Sequence, residues 1–437
     1  MDPEAVTAVA DPGARRSPRR RWRIAWLLGL GVLINYFDRV NLSVSHNALI
    51  AAFGISDVTF GILSSAYNWT YALCQIPIGV VLDWLGVRRI GRMGSFVWSL
   101  ASFGAAAAPN VPSFFAARLL LGVGEAPTFP ANAKATGHWF PQQERSLATS
   151  YFDAAAKFAS AVGVPLIGIL LLHIGWRMSF AATGLVSLLY FLLFFVVYRE
   201  PEDDPRLSPE ELAFIRADAD PEPQDPSRQA SLWYLLRQRR VLGLALGFGS
   251  YNYVFYLLLV WLPTYLSESL HINLLDSFLY TGVPWLVGTV TDLLIGGWLV
   301  DVLIQRGWNA NRVRMTVLVG GTAMGLGILG GAHSHSTTEA LLWMSVCLGG
   351  LSAAAPVGWS FPSLIAPRGS VGRVGGIMNF SNQVSGIAAS IITGILVQRW
   401  HNFAAAFAVA TAYLAIGICA YLFLLRNADP IEPGLAA

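Results

Sequence analysis

"GVVLDWLGVRR" (79–89) closes one apolar run, and "GGWLVDVLIQRG" (296–307) closes another far later in the chain. In each, a glycine precedes an aspartate and an arginine follows it. Glycine lets two helices approach closely where lipid supplies no hydrophobic drive. Aspartate and arginine at a polar boundary can form a charge-assisted clasp between neighbouring helices. The recurrence divides the chain into two equivalent halves, and the rest of the sequence keeps that division.

The 437 residues are 54% hydrophobic and 13% charged, whereas a soluble domain carries about 25% charged residues. That deficit excludes a water-facing protein of this size. A net charge of +3 is too small to point to nucleic acid. Cys74, Cys347 and Cys419 lie far apart in apolar runs, so they form neither a disulfide framework nor a metal-ligand pattern. Apolar runs long enough for a bilayer recur near residues 23–45, 58–82, 90–108, 112–139, 146–172, 177–199, 241–266, 278–303, 313–332, 339–364, 374–398 and 403–425. These are about twelve spans of roughly 20 residues each. The basic start followed by an apolar run has the form of a signal peptide. The run is too long for one and no cleavage site follows, so it is read as a retained first span.

A polar stretch at 200–240 separates the spans six and six. The expected organisation is a basic tail (1–22), a first half (23–199), a linker (200–240), a second half (241–426) and a short tail (427–437). Arg15, Arg16, Arg19, Arg20, Arg21 and Arg23 precede the first span, Arg88, Arg89 and Arg92 follow the second, and Arg145 follows the fourth. Arg237, Arg239 and Arg240 precede the seventh, and Arg306, Arg312 and Arg314 separate the eighth from the ninth. Other loops hold little beyond Arg177 and Arg399. By the positive-inside rule both termini and the linker are cytoplasmic, on an inner (plasma) membrane.

The loop after the second span, together with "INYFDRVNLS" (34–43), "LLLGVGEAPTFPANAKATGHWFPQQERS" (119–146) and the W-L-P-x-Y-L of the seventh span, resembles the major facilitator superfamily, and within it the anion:cation symporter branch. The resemblance covers nearly the whole chain. It implies an all-α bundle of two pseudo-symmetric six-helix halves with a ligand site between them. It also implies a transporter, not an enzyme, that moves a hexuronate, aldonate, tartrate, phthalate or related carboxylate. The function expected is proton-coupled uptake of a small organic anion by alternating access; export or anion exchange by the same fold is the alternative. No cofactor or metal is expected, the partners are the anion, protons and lipid, and the chain is expected to work as a monomer.

Charges inside a membrane are few and costly, so each one raises a question. From the start of the first span Asp38 lies ~20 Å along the helix, near the bilayer centre, and Glu125 reaches similar depth. Adjacent helix residues point apart, so one division has Arg39 facing the cavity and Asp38 a neighbouring helix. A guanidinium offers a planar fork matched to a carboxylate, and an acid beside it can register a proton. A structural ion pair between spans 1 and 4 is the other reading. The resemblance implies the functional one, since in sugar-acid symporters of the branch the matching Arg binds the substrate carboxylate and the residues matching Asp38 and Glu125 are proton sites.

Arg118, two turns before Glu125, guides anions inward or pairs with an acid, and Lys134 can snorkel. Asp153 and Lys157 are an i,i+4 pair that neutralise each other, unless Lys157 faces the cavity as a second anion site. Asp292 is either a partner for a cation across the cavity or a third proton site. Tyr36, Tyr71, Gln75, Asn252, Tyr253, Trp359, Asn379, Asn382 and Gln383 supply amides, phenols and a ring that suit a hydroxyl-bearing ligand. Asp83, Arg88, Arg89, Glu144, Arg145, Asp301 and Arg306 are expected to latch the cytoplasmic side when the cavity opens outward. "GLGILG" (325–330) fits a dinucleotide fingerprint but has no strand before it. His333 and His335 have no further ligand nearby.

Overall fold

The computed structural model describes residues 20–216, 230–334, 336–367 and 370–431, apart from the side chains at 76, 79, 80, 83, 142–147, 149, 150, 274, 363 and 371. These residues are all-helical: α1 (Arg20–Val44), α2 (His46–Phe53), α3 (Asp57–Ala107), α4 (Val111–Glu125), α5 (Thr128–Trp139), α6 (Gln142–Val197), α7 (Pro209–Arg216), α8 (Leu232–Leu236), α9 (Arg239–Ser269), α10 (Leu274–Thr291), α11 (Val300–Gln305), α12 (Ala310–Met324), α13 (Ile328–Ala332), α14 (Thr337–Ile365), α15 (Val371–Trp400) and α16 (Ala404–Cys419). Helix is what such apolar runs must form, because hydrocarbon offers backbone groups no other partner. Two of the helices fold back on themselves, α3 at Gly86 (φ 72°) and α6 at Gly175 (φ 77°). A left-handed backbone there needs a residue without a Cβ.

Among the described residues seven helices are long and apolar enough to cross a bilayer, or eight if α2 and the start of α3, bent by 117°, form one broken span. The chain is therefore a multi-pass membrane protein. The reading of about twelve spans counts each limb of a folded-back helix by itself. The run expected as one span at 112–139 is interrupted at Ala126–Pro127, where proline has no N–H to continue the ladder. The interruption falls directly after Glu125. α10 passes into a π-helical stretch, Asp292–Leu299, before α11.

α1, α3, α4, α5 and α6 pack on one another, as do α9, α10, α12, α14, α15 and α16. The two groups meet through α3 with α15, α6 with α10, and α1 with α9. The segment between them is strapped to both. Arg20, at the start of α1, pairs with Asp204 (2.7 Å), Arg21 pairs with Glu211 (2.8 Å), and all four side chains are buried. At the far end Ala230 accepts from Arg373 Nη1 (2.6 Å) and donates to Ser370 Oγ (2.9 Å). Residues 20 and 21, read from sequence as part of a basic tail, thus begin the first helix.

The groups are sealed on the face away from the termini. Ser43 Oγ donates to the Val260 carbonyl (2.6 Å) and the Val58 amide to Gln398 Oε1 (3.4 Å). A Cβ added at Gly61 or Gly394 would come within 2.5 Å of the carbonyls of Ser390 or Asp57, so backbones touch there. At mid-depth the Asn379 amide donates to Gln75 Oε1 (3.1 Å) and Lys157 meets Asp292. Nearer the termini, no hydrogen bond or ion pair joins the two groups among the described residues. Arg89, Asp301 and Arg306 are exposed there, and Arg88 pairs with Asp203 of the connecting segment (3.8 Å). The side chains of Asp83, Glu144 and Arg145 lie outside the described residues.

Candidate functional site

Arg39 and Glu125 meet in the interior. Arg39 Nε donates to Glu125 Oε2 at 3.0 Å, with 7% of the arginine side chain and none of the carboxylate exposed. α1 brings the arginine, and the last residue of α4 brings the acid to the break before Pro127. The guanidinium carbon sits 4.5 Å from the ring centre of Tyr36, 4.6 Å from Tyr67 and 5.7 Å from Tyr71. Aromatic faces stabilise a cation by their quadrupole, most strongly when water is excluded. This cage holds the arginine while leaving hydrogen-bonding capacity over. Arg39 Nη2 and Glu125 Oε1 are buried without a hydrogen-bond partner among the described residues. So are both amide atoms of Asn35 and Asn68.

Asp38 points the other way, as its position one residue along the helix requires. Its two oxygens accept from Ser102 Oγ (2.8 Å) and Ser187 Oγ (2.9 Å). One turn on, Asn41 Oδ1 accepts from Ser179 Oγ (3.0 Å) and its amide donates to Thr183 Oγ1 (3.2 Å). Asp38 is therefore fixed by the folded-back limbs of α3 and α6, on the far side of α1 from the second group. Arg118, 3% exposed, lies within electrostatic reach of both Glu125 and Asp38. Two buried acids face two buried bases. When all four are ionised the cluster is neutral, and any added anion must bring a cation with it to keep it so.

The remaining residues singled out from sequence are distributed unevenly. Gln75 and Asn379 bridge α3 and α15, and the Gln75 amide also donates to the Ala126 carbonyl at the break (3.3 Å). The Asn252 amide donates to the Asn382 carbonyl (2.6 Å), joining α9 to α15. Tyr253 packs edge-on against Tyr413, towards α16 and away from the arginine. Trp359, 44% exposed, packs edge-on against Phe248. Lys134 Nζ donates to the Leu82 carbonyl (3.2 Å). Lys157 lies between two carboxylates, Asp153 Oδ2 at 2.8 Å and Asp292 Oδ2 at 2.6 Å.

Four contributors, Asn35, Tyr67, Asn68 and Tyr256, escaped the sequence reading. Tyr67 caps the guanidinium. Tyr256 and Asn68 both crowd Gly386, where a Cβ would lie within 3.0 Å of either, and Tyr256 is within electrostatic reach of Arg39. Tyr67 stands one helical turn before Tyr71, so the i,i+4 spacing that selected Tyr71 and Gln75 carried a signal for it.

Comparison with known proteins places this geometry in a family. The model described as Major Facilitator Superfamily matches residues 28–390. The uncharacterized transporter YybO of Bacillus subtilis is 37% identical, over 98% of this chain and 99% of its own length. The D-galactonate transporter of Escherichia coli O6:H1 is 30% identical, over 95% and 97%. Among solved structures, a bacterial homolog of the human lysosomal transporter Spinster, in an inward-facing and occupied conformation, superposes with a TM-score of 0.74. At 16% identity, over 94% of this chain and 98% of that one, that likeness establishes the fold.

Proposed function

We propose that this chain, which belongs to the major facilitator superfamily, takes up a small organic anion by proton-coupled symport, and that the anion is a sugar acid or a related carboxylate. The observation that carries the reading is the buried Arg39–Glu125 pair, with a guanidinium nitrogen and a carboxylate oxygen still unengaged. The D-galactonate relative, alike over nearly its whole length, supports the substrate class. Unpartnered amides at Asn35 and Asn68 and the phenols of the cage suit hydroxyl groups on a short carbon chain.

With the termini and connecting segment in the cytoplasm of an inner membrane, as the arginine distribution indicates, the structure is the inward-facing state. In the outward-facing state Glu125 takes a proton, and the neutral acid no longer competes for Arg39. The substrate carboxylate then pairs with the guanidinium, and one proton and one anion leave the cluster's charge unchanged. Only that neutral combination can be enclosed without burying an uncompensated charge. Asp38, held by two serines, exchanges protons on the other side of α1 and tunes the same balance through Arg118. Inside, the anion departs, Glu125 releases its proton and the pair re-forms. The groups rock about the site, and the loops at 79–89 and 296–307 close the cytoplasmic side in the alternate state.

The test is uptake into proteoliposomes containing the purified protein, with a panel of aldonates, uronates and aromatic acids, under an imposed pH gradient and in counterflow. Accumulation of at least one sugar acid that collapses when the gradient is dissipated is the expected result. Counterflow without any response to the gradient would replace symport by exchange, and silence across the panel would remove the substrate class.

A further inference from the structure

The Lys157 triad adjoins the Arg39 site, with Tyr36 within electrostatic reach of both, and the cycle above leaves it unused. It holds one ammonium and two carboxylates, with Lys157 and Asp292 each 3% exposed. Its two contacts differ in what they join. Asp153 and Lys157 share α6, one turn apart, joined by a directed hydrogen bond of 2.8 Å. Asp292 belongs to the other helix group, and its Oδ2 lies 2.6 Å from the ammonium. That second contact is an ion pair that spans the interface.

Its place along the interface matters. Farther from the termini, Phe278 of α10 lies on Gly168 of α6, and a Cβ at Gly282 would come within 2.5 Å of the Ala161 carbonyl. The triad follows, at the point where the π-helical stretch opens. Beyond it, Asp301 and Arg306 on the same span are exposed. Among the described residues, Asp292 is thus the last polar tie between α6 and α10 before the groups part. The charged and titratable groups facing it are Lys157 and Asp153 of α6 and Tyr251 of α9. On its other flank α14 brings Gly349, Ser352 and Ala353 against α10 and the π-helical stretch, all uncharged.

We propose that Asp292 is a proton-gated clasp: ionised, it holds α6 through Lys157, and protonated, it releases it. The charge count carries this. Separating the groups with Asp292 ionised would strand a lone carboxylate inside the membrane, which is unfavourable. A proton taken from water onto a carboxylate oxygen of Asp292 leaves that surface neutral, while Lys157 remains neutralised by Asp153 on its own helix. Both surfaces then part without net charge. The clasp adds a second proton-sensitive step to transport and rests on the alternating-access reading above, but its test needs no substrate.

Trp84 and Trp308, 81% and 62% exposed on opposite groups near the termini face, are replaced by cysteine in a chain lacking its three native cysteines. Spin labels there report the separation of the groups in nanodiscs by double electron–electron resonance, from about pH 5 to about pH 9. The parent is expected to shift between two distance populations as pH changes, and Glu125→Gln is expected to keep that shift. Asp292→Asn, permanently uncharged, holds at about pH 9 the populations the parent shows at about pH 5. Asp153→Asn leaves a balanced Lys157–Asp292 pair, tightens the clasp and moves the midpoint down by about one pH unit or more. A parent without a pH-dependent shift, or an Asp292→Asn variant that titrates like the parent, overturns the proposal. Because no sugar acid enters the measurement, failure of the substrate assignment would leave its outcome unchanged.

Discussion

At the scale of single residues, Arg39 and Glu125 make separable demands. Arg39→Ala leaves Glu125 buried without its partner and removes the fork proposed to receive a carboxylate. Loss of one member of a buried charged pair costs about 2–5 kcal/mol, at least ~30-fold in affinity. Substrate-induced quenching of intrinsic tryptophan fluorescence and counterflow should therefore both disappear. Glu125→Gln mimics the protonated acid: binding and counterflow persist, while accumulation driven by a pH gradient is lost. If that variant still concentrates substrate against its gradient, Glu125 is not the obligatory proton carrier and Asp38 takes the role. Asp38 is held by Ser102 and Ser187 rather than by a base, so Asp38→Asn keeps the size of the side chain while removing its charge.

At the scale of elements, glycines decide where helices turn and how closely they lie. Gly86 ends the stretch "GVVLDWLG" with φ 72°, a conformation that costs a residue bearing a Cβ roughly 1–2 kcal/mol. Gly86→Ala should lower the thermal unfolding midpoint of the detergent-solubilised protein, and an unchanged midpoint would mean the fold-back tolerates a side chain. Gly61 does different work, since a Cβ there would come within 2.5 Å of the Ser390 carbonyl. Gly61→Leu is expected to wedge the sealed face apart. A cysteine at Thr393, fully buried on α15, should then react with a maleimide at least about threefold faster, the population change from a bias of roughly 0.6 kcal/mol. An unaltered rate would show that α3 and α15 yield at this point without opening.

For the whole molecule, the alternate state requires the parted face to close. Asp83 stands in the first copy of the repeated loop, and Asp301 with Arg306 stands in the second, exposed and without ion pairs among the described residues. Asp83→Asn is expected to slow transport while sparing substrate binding, because a latch acts on the rate of interconversion and not on the site. Lost binding with an accessible cavity would count against the latch. Both ends of the connecting segment are tied down, one by Arg20 and Arg21 and the other by Arg373, so the proposed closing motion would take place between anchored groups.

What the sequence determined by itself follows from the solvent. Hydrocarbon penalises unpaired backbone and lone charge so strongly that apolar length predicts helices, and a charge inside an apolar run marks a working residue. The spans and the division between Arg39 and Asp38 were legible on that ground, and the family through its resemblance in the motifs at 34–43, 79–89 and 119–146. Partner choice was not, because it depends on which helices meet. The sequence pairs Lys157 with Asp153 and leaves Asp292 open between two roles, and only the packing of α6 on α10 brings that carboxylate to 2.6 Å from the ammonium. Tyr67 had only its spacing from Tyr71 to mark it and Tyr256 had no such mark; the convergence of α1, α3 and α9 brings both towards one guanidinium. The break after Glu125 needed Pro127 and the neighbouring helices together, since a proline in a membrane span can kink a helix or be absorbed by it. Spacing along one helix is a local property that residues encode directly, whereas contact across an interface is settled by the close approach of small residues from distant parts of the chain.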